Sequence, residues 1–441
     1  MSTKLEVAYL VYARVLPRGK GQWGFVRTEE DIESELKIVR RELKALTRQL
    51  NIPITFIEEA LNLKVSDAKE KLKKYDALII YGFSGSPLCD IASLKIPTIF
   101  FIKCYSGPFY GDTLFAPFWH SKIKRTSYGK YVKLIFDDYS ELVKFLRAVN
   151  ALKRLKRTKA LCIGQPNETF GGQAARNIAE KKFDVKIDVV EWEVFREFLD
   201  RVDENYAKSI ANEFLRQALE VREVTMDNVI KAARVYLALK EMIHDGGYNA
   251  ITVNCLTSEA FETLEATPCL AFSKLNDEGI IAACEADIPA LLTMIVLNGI
   301  EPNKPSFLAD PVPHSSMNTL ILAHCTAPTK LKGFNEIAEP YVATTHHESG
   351  LSATPQVMFT PGGTVTVAGF DHDLSSMIIT KGVITRSTSY PICRSQVEIK
   401  IENGKELLEK YVGFHWIMIY GDYVDDLVNF CRLSGVKASV T

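Results

Sequence analysis

The sequence lacks paired cysteines and long apolar runs. Its nine cysteines stand singly, with no C-x-x-C pair, and their odd number argues against a disulfide framework. No apolar run approaches the length of a membrane-spanning helix, and the first residues lead into a strand-like run without a cleavable signal pattern. We therefore expect a cytoplasmic protein whose cysteines are buried apolar residues.

The chain also lacks an excess of charge and a nucleotide-binding motif. The formal net charge is -1, so no overall field attracts nucleic acid or an anionic membrane. The glycines form neither a G-x-G-x-x-G pattern nor a P-loop, which disfavours a nucleotide site. The expected partner is a small molecule, with no nucleic acid and no membrane.

The 441 residues are too many for one ordinary core and predict about three domains. Strand-like and helix-like segments alternate through the first two thirds, and the continuous apolar strands suit parallel sheets covered on both faces. We predict an α/β fold with two doubly wound, Rossmann-like parallel-sheet domains, at 1–156 and 157–303. A C-terminal antiparallel β-rich domain is expected at 304–441, because short alternating runs with Gly and Pro turns begin there.

One turn within the last third has a recognisable signal. The segment PGG, at 361–363, separates two alternating runs, PQVMFT and TVTVAGFD. Such a Gly-containing connection is typical of a β-hairpin. We therefore expect these two runs to pair with each other.

Four ionisable residues in apolar surroundings form the strongest functional signal: Glu285, Asp310, His324 and His415. Carboxylates and imidazoles buried among Ala, Leu, Ile and Met are costly without partners. A shared cation accounts for all four. Oxygen-rich sites with one or two imidazoles suit Mn²⁺ or Mg²⁺ better than a metal that prefers thiolates.

Each candidate also has a structural explanation, which for any single histidine is a hydrogen-bonded position at the surface or in the core. Asp310 precedes Pro311, and Asp-Pro often begins a turn, so the two explanations are equally good. Asp287 is explained well as an acid at a helix N-terminus, whereas Glu285 follows small residues that leave space for a ligand. His415 starts an apolar strand, a favoured place for ligands. The adjacent His346 and His347 are left outside the site, because neighbours in a strand point to opposite faces.

Three segments carry a resemblance to a known family. LNDEGIIAACEADIPALLTM, SFLADPVPHSSMNTLILAHCTAP and FHWIMIYGDYVDDLVNFCRLSGV resemble the L-fucose isomerase and L-arabinose isomerase group of ketol isomerases. Glu285 falls on the family's first metal-binding glutamate, Asp310 on its second carboxylate and His415 on its C-terminal histidine. His324 falls on an additional histidine ligand of the arabinose isomerases.

The resemblance implies an aldose–ketose isomerase that uses Mn²⁺ or another divalent cation, such as Mg²⁺ or Co²⁺. Such an ion would polarise the carbonyl of the open-chain sugar and would stabilise the cis-enediol intermediate that the resemblance implies. One carboxylate moves the C2 proton and the other relays a proton between O1 and O2. Glu285 and Asp310 are the candidates for this pair, and which of them is the base stays open.

The resemblance also implies a homo-oligomer, a trimer or hexamer, with the active site near a subunit interface. The aromatic stretch at 105–119 is then either a lid or simple interface packing. Arg394 is expected to orient substrate or to hold an acidic side chain.

The substrate and the class of reaction remain open. L-fucose, D-arabinose and L-arabinose are all candidate sugars. Two linked α/β domains are also the architecture of bilobed sugar-binding proteins, although such a protein has no need of a cation held by two carboxylates and a histidine. A metal-dependent lyase or epimerase acting on a related sugar is the other alternative.

Overall fold

The computed structural model describes residues 4–13, 26, 28–60, 63, 65–82, 91–103, 112–264 and 266–441. The chain forms two compact units, one of residues 1–153 with 432–435 and a second of residues 154–431 with 436–441. No helix within the described ranges is both long enough and apolar enough to cross a membrane.

The first unit contains a parallel sheet of five strands in the order β2-β1-β3-β4-β5. Its central strands are apolar on both faces and fully buried, as a doubly wound sheet requires. The strands are β1 Leu5–Tyr12, β2 Ile54–Glu58, β3 Ala77–Gly82, β4 Thr98–Ile102 and β5 Val132–Phe136. The helices are α1 Glu29–Gln49, α2 Val65–Leu72, α3 Asp112–Ile123 and α4 Tyr139–Arg157, with a 3-10 turn at Gly129–Tyr131.

The second unit begins with a parallel sheet in the order β10-β9-β6-β7. Its strands are β6 Lys159–Ile163, β7 Lys186–Val190, β9 Ala250–Val253 and β10 Ile281–Cys284. The helices are α5 Gly172–Phe183, α6 Trp192–Asp200, α7 Glu204–Gln217, α8 Met226–Gly246, α9 Ser258–Thr263, α10 Cys269–Asp277 and α11 Ile288–Ile300, with a 3-10 turn at Glu168–Phe170. The last of these helices is apolar on all sides and buried, so it acts as a core element.

The rest of the second unit is mostly antiparallel. Six strands pair in the order β15-β18-β11-β12-β17-β16, and the pairing of β15 with β16 closes them into a barrel-like sheet. These strands are β11 Phe307–His314, β12 Thr319–His324, β15 Thr364–Phe370, β16 Ser376–Ser387, β17 Ser395–Ile401 and β18 Trp416–Tyr420. The strand β19 Lys437–Val440 adds to β16 in parallel. A separate small sheet joins β8 Glu220–Val221, β13 Tyr341–Thr344 and β14 Thr354–Val357, and the last helices are α12 Gly404–Glu409 and α13 Val424–Ser434.

The predicted fold class is confirmed, with two parallel α/β sheets followed by a β-rich region. The predicted hairpin at 361–363 is wrong. β14, before it, pairs with β13, whereas β15, after it, pairs with β16 and β18, so the turn connects two different sheets. A short Gly-containing turn restricts the local path of the chain, but it does not choose the strand's partner. The division into three domains at 156 and 303 stays a prediction.

Candidate metal site

The four predicted ligands lie at the ends or within strands of the second unit. Glu285 directly follows β10, His324 is the last residue of β12, and His415 directly precedes β18. Asp310 lies within β11, which pairs with β12 on one side and with β18 on the other. This pairing of neighbouring strands brings the three C-terminal side chains to one place.

Asp310 does not cap a turn, so that hypothesis is wrong. It sits opposite Ala323 in the ladder between β11 and β12. Pro311, which suggested a turn, and the nearby Pro313 both lie beyond the stretch 307–309 that pairs with β18. No strand pairs with that side of β11 at these positions, so a proline, which lacks an N–H, removes no hydrogen bond of the sheet there. Asp310 therefore projects from a regular strand.

His415 lies between the two carboxylates. Its Nε2 is 3.7 Å from Glu285 Oε2 and 3.5 Å from Asp310 Oδ1. Glu285 Oε1 is in turn 3.5 Å from His324 Nε2. His415 Nε2 is buried and has no hydrogen-bond partner within the described part of the chain. Because an unsatisfied buried polar atom costs about 1–3 kcal/mol, this arrangement favours a ligand that takes the nitrogen lone pair.

The other nitrogen of each imidazole is held by a neighbour. His415 Nδ1 donates to Asp287 Oδ2 at 2.8 Å, and Asp287 Oδ1 accepts from the backbone N–H of Ala290 and so caps α11. His324 Nδ1 lies 3.0 Å from Thr326 Oγ1. A carboxylate on Nδ1 fixes the tautomer that leaves Nε2 free of a proton, which is the form that binds metals.

The backbone at Glu285 is strained. Glu285 and Ala286 have φ of +61° and +50°, in the left-handed region that residues other than glycine rarely adopt. Such a conformation costs about 1–3 kcal/mol per residue and persists where the surroundings impose it. The N–H of Ala286 donates to Val253 O on the adjacent strand at 3.0 Å, which holds the turn in place. Strain of this kind clusters at functional sites.

The electrostatic surroundings of the cluster favour a bound cation. Burial by itself raises the pKa of Glu285. The interactions with His324 and His415 lower this pKa by more than burial raises it, so the pKa of Glu285 lies below its ordinary value. Burial lowers the pKa of His324, whereas the carboxylates of Glu285 and Asp310 raise it, and the result is a pKa of about 9. The surroundings therefore stabilise positive charge between the carboxylates.

A cavity of about 340 Å³ adjoins the cluster, a size within the range of roughly 300–1,000 Å³ for ligand pockets. Glu285, Asp310 and His324 line it, with Glu348 and Phe414 among the other residues of its wall. Glu285 exposes 16% and Asp310 37% of its side chain, whereas His415 is fully buried. Five cysteines also line this cavity: Cys255, Cys269, Cys284, Cys325 and Cys393.

Several residues that shape the site were not predicted from the sequence. His346 lies beyond the end of β13 and lines the cavity, with its Nδ1 3.0 Å from Ser349 Oγ, so the strand argument that placed it outside does not hold. Thr326 and Asp287 orient the two imidazoles. The contact between Thr326 and His324 could have been predicted, because Thr326 is a polar residue only two positions after the histidine. The contact between Asp287 and His415 could not, because nothing in the sequence links two residues that are 128 positions apart.

Arg394 holds an acidic side chain outside the cluster. Its guanidinium donates to Glu223 Oε2 at 2.9 Å and to the backbone oxygen and hydroxyl of Thr345, next to His346. The aromatic stretch 105–119 lies partly outside the described residues. Within its described end, Phe118 and Trp119 are exposed on α3.

A second grouping of donors overlaps the first. Cys284 Sγ, a Glu285 carboxylate oxygen and a His324 ring nitrogen all lie within 4.8 Å of one another. Two imidazoles and two carboxylates, with one buried nitrogen left unsatisfied, suit a divalent cation such as Mn²⁺. The residues present therefore fit a metal.

Comparison with known proteins points to sugar isomerases. The L-arabinose isomerase central domain family matches residues 172–298. The sulfoquinovose isomerase of Priestia megaterium is 23% identical over 227 residues, and that of Clostridium sp. is 25% identical over 317 residues. The first match covers 48% of this chain and 49% of the relative, and the second covers 67% of each, so the chain spans about half the length of the Priestia protein that it matches.

One solved structure shows a weak similarity. The apo form of a Ca. Korarchaeum cryptofilum dinucleotide-forming acetyl-coenzyme A synthetase matches 68% of this chain and 66% of its own, at 11% identity and a TM-score of 0.22. The family and sequence matches carry the comparison: this chain is similar to sugar isomerases of the L-arabinose and L-fucose isomerase type, without a particular member being singled out.

Proposed function

We propose that this protein is a metal-dependent aldose–ketose isomerase, an intramolecular oxidoreductase acting on a free sugar. The observation that carries the proposal is the unsatisfied Nε2 of His415, buried and faced by Glu285 and Asp310. The similarity to sugar isomerases supports the same activity. Candidate substrates are L-fucose, D-arabinose and L-arabinose, together with sulfoquinovose, after which the relatives are named.

Glu285, Asp310 and His415 would hold the cation, with His324 as an additional ligand. Their oxygen and imidazole donors suit Mn²⁺, Mg²⁺ or Co²⁺. When bound, such an ion supplies a Lewis acid that polarises the sugar carbonyl and offsets the charge that develops as the C2 proton leaves. It also lets both carboxylates stay ionised so close together.

The two carboxylates would carry the protons. One removes the proton from C2 of the open-chain aldose and later returns it to C1. The other moves the O2 hydroxyl proton to O1, so the cis-enediol forms and then collapses to the ketose with no net gain or loss of atoms. Glu285 and Asp310 both line the cavity and are separated by the His415 imidazole edge, so each reaches a different part of a bound sugar.

Asp287 and Thr326 would act as positioning residues. They hold the Nδ1 atoms of His415 and His324, so the Nε2 atoms stay directed at the carboxylates. Because Asp287 also caps α11, the position of His415 depends on where that helix begins. A site held this rigidly spends little energy on reorganisation during the reaction.

Product analysis tests this proposal. Each of the four sugars is incubated with Mn²⁺-loaded protein and the products are identified by NMR. A ketose supports the isomerase; an epimeric aldose or a cleaved sugar would show an epimerase or a lyase, and binding without any product would show a sugar-binding protein. The matched control is Glu241→Gln, which removes an exposed carboxylate of α8 away from the cavity and should retain activity, whereas Glu285→Gln should lose it.

We also propose that the protein is a cytoplasmic homo-oligomer, a trimer or hexamer, with the cavity near a subunit interface. Phe414, which lines the cavity and leaves 45% of its surface exposed, supports this arrangement. Light scattering after size exclusion measures the oligomer directly. A monomer at micromolar concentration would contradict it.

A further inference from the structure

Two thiols stand beside the candidate isomerase site and have no role in it. Cys284 ends β10 directly before Glu285, and Cys255 follows β9, the neighbouring strand. Both side chains are buried and line the cavity. Their Sγ atoms lie 3.5 Å apart.

The strained backbone explains why Cys284 and Glu285 share one cavity. In an extended strand, successive side chains point to opposite faces. The left-handed conformation of Glu285 interrupts this alternation, and both side chains line the same cavity. A soft sulfur donor therefore lies next to the hard oxygen and nitrogen donors.

The spacing of these donors matches a thiophilic ion. A nitrogen and an oxygen bound tetrahedrally at about 2.0–2.2 Å from one zinc are about 3.4 Å apart, close to the 3.5 Å between His324 Nε2 and Glu285 Oε1. Cys284, Glu285 and His324 present donor atoms that all lie within 4.8 Å of one another. One thiol, one imidazole and one carboxylate provide three protein donors, and a water molecule can complete the tetrahedron of a zinc ion. Cys255 Sγ lies outside this group and can donate a hydrogen bond to a bound Cys284 thiolate.

We propose that Cys284, Glu285 and His324 bind a thiophilic divalent cation such as Zn²⁺ or Cd²⁺ in place of the hard cation of the isomerase site. Glu285 and His324 belong to both ligand sets, so the two ions exclude each other. Zinc binds such donors more tightly than manganese. A zinc ion held this way takes Glu285 away from proton transfer and stops the isomerase.

Binding of the thiophilic cation does not depend on the proposed function, whereas the inhibition of the isomerase rests on it. Binding is measured first, by titrating metal-free protein with Cd²⁺ and following the ultraviolet sulfur-to-metal charge-transfer absorption. We expect a band that saturates at one equivalent. It should be lost in Cys284→Ser and Cys284→Ala and retained in Cys393→Ser, which removes another thiol of the same cavity.

Circular dichroism and thermal unfolding identify variants that have folded. An undiminished band in folded Cys284 variants, or no band in the wild type, overturns the proposal. We also expect the Zn²⁺ affinity of folded Cys284→Ser to fall at least about tenfold, because the loss of a direct ligand exceeds the effect of losing an outer partner. An unchanged Zn²⁺ affinity overturns the proposal as well.

Inhibition is measured second, as ketose formation with Mn²⁺ at increasing Zn²⁺, each variant relative to its own activity without zinc. Cys284→Ser should need at least about tenfold more Zn²⁺ for half inhibition. Equal sensitivity of wild type and variant refutes the inhibition. A Cys284-dependent Cd²⁺ band in a protein that forms no ketose contradicts the proposed function and leaves the thiophilic site standing.

Discussion

Replacing Asp287 with Asn isolates the orientation of His415 from every other feature of the site. Asp287 Oδ1 caps α11 while Oδ2 accepts from His415 Nδ1. Asn caps a helix as well as Asp does, so its oxygen can keep the bond to the Ala290 N–H. Its NH₂ group then faces His415 Nδ1 and donates to it, which moves the imidazole proton to Nε2. The nitrogen directed at Glu285 can no longer bind a cation.

The expected loss is large in metal affinity and small in stability. Removing an outer partner of a metal-binding histidine typically costs about 10–100-fold in affinity, or roughly 1.4–2.7 kcal/mol. Exchanging one hydrogen bond for another at His415 changes the free energy of unfolding by about 1.5 kcal/mol or less. Mn²⁺ affinity should therefore fall at least about tenfold in a protein that still folds.

Calorimetric titration with Mn²⁺ and denaturant unfolding measure the two quantities. The matched control is Asp203→Asn, the same substitution at the N-cap of α7, where the carboxylate accepts from the Tyr206 N–H. Asp203→Asn should leave Mn²⁺ affinity unchanged. Wild-type affinity in folded Asp287→Asn would refute the idea that this carboxylate sets the tautomer of His415.

Three further predictions concern metal linkage, acid stability and the approach to His415. Mn²⁺ at 100 times its dissociation constant should raise the free energy of unfolding by about 2.7 kcal/mol, measured with denaturant before and after EDTA treatment. Burial by itself raises the pKa of Glu339. The hydroxyl of Thr360 and the ammonium of Lys332 help to lower this pKa by more than burial raises it, so it lies below the ordinary value. Because this folded pKa lies below the unfolded one, its stabilisation is present above about pH 4.3 and is lost as the pH falls through the folded pKa. Glu339→Gln should cost about 1–3 kcal/mol at neutral pH and flatten the acid limb of the stability curve. Gly413 has φ of +74°, and a Cβ there would lie 2.3 Å from Phe370 O, so Gly413→Ala should destabilise by at least about 2 kcal/mol and weaken Mn²⁺ binding.

Each of these has a contradicting result. If Mn²⁺ raised the free energy of unfolding of Asp310→Asn as much as that of the wild type, the ion would bind elsewhere. A stability curve of Glu339→Gln parallel to that of the wild type in acid would place the pH dependence on other carboxylates. Wild-type stability of Gly413→Ala would show that the backbone before His415 relaxes without cost.

The positions of Glu285 and His415 were predictable, because apolar runs end visibly in the sequence and ligands favour strand ends. The conformation of Glu285 was not, since a non-glycine residue with positive φ leaves no compositional signal. Asp310 was ambiguous because Asp-Pro suits a turn, and only the pairing of β11 on both sides shows that it belongs to a strand. The partners of β14 and β15 were likewise set by tertiary pairing, which a local turn motif does not encode.

The most direct test of the central claim is ketose formation by metal-stripped protein with and without Mn²⁺, in the wild type and in Glu285→Gln. We predict no ketose without the ion and restored activity with it. The rate in Glu285→Gln should be lower by about 10²–10⁴-fold, the usual contribution of a general acid or base. Equal rates with and without the ion, or in the two proteins, would contradict the assignment of this cluster as the metal site of a sugar isomerase.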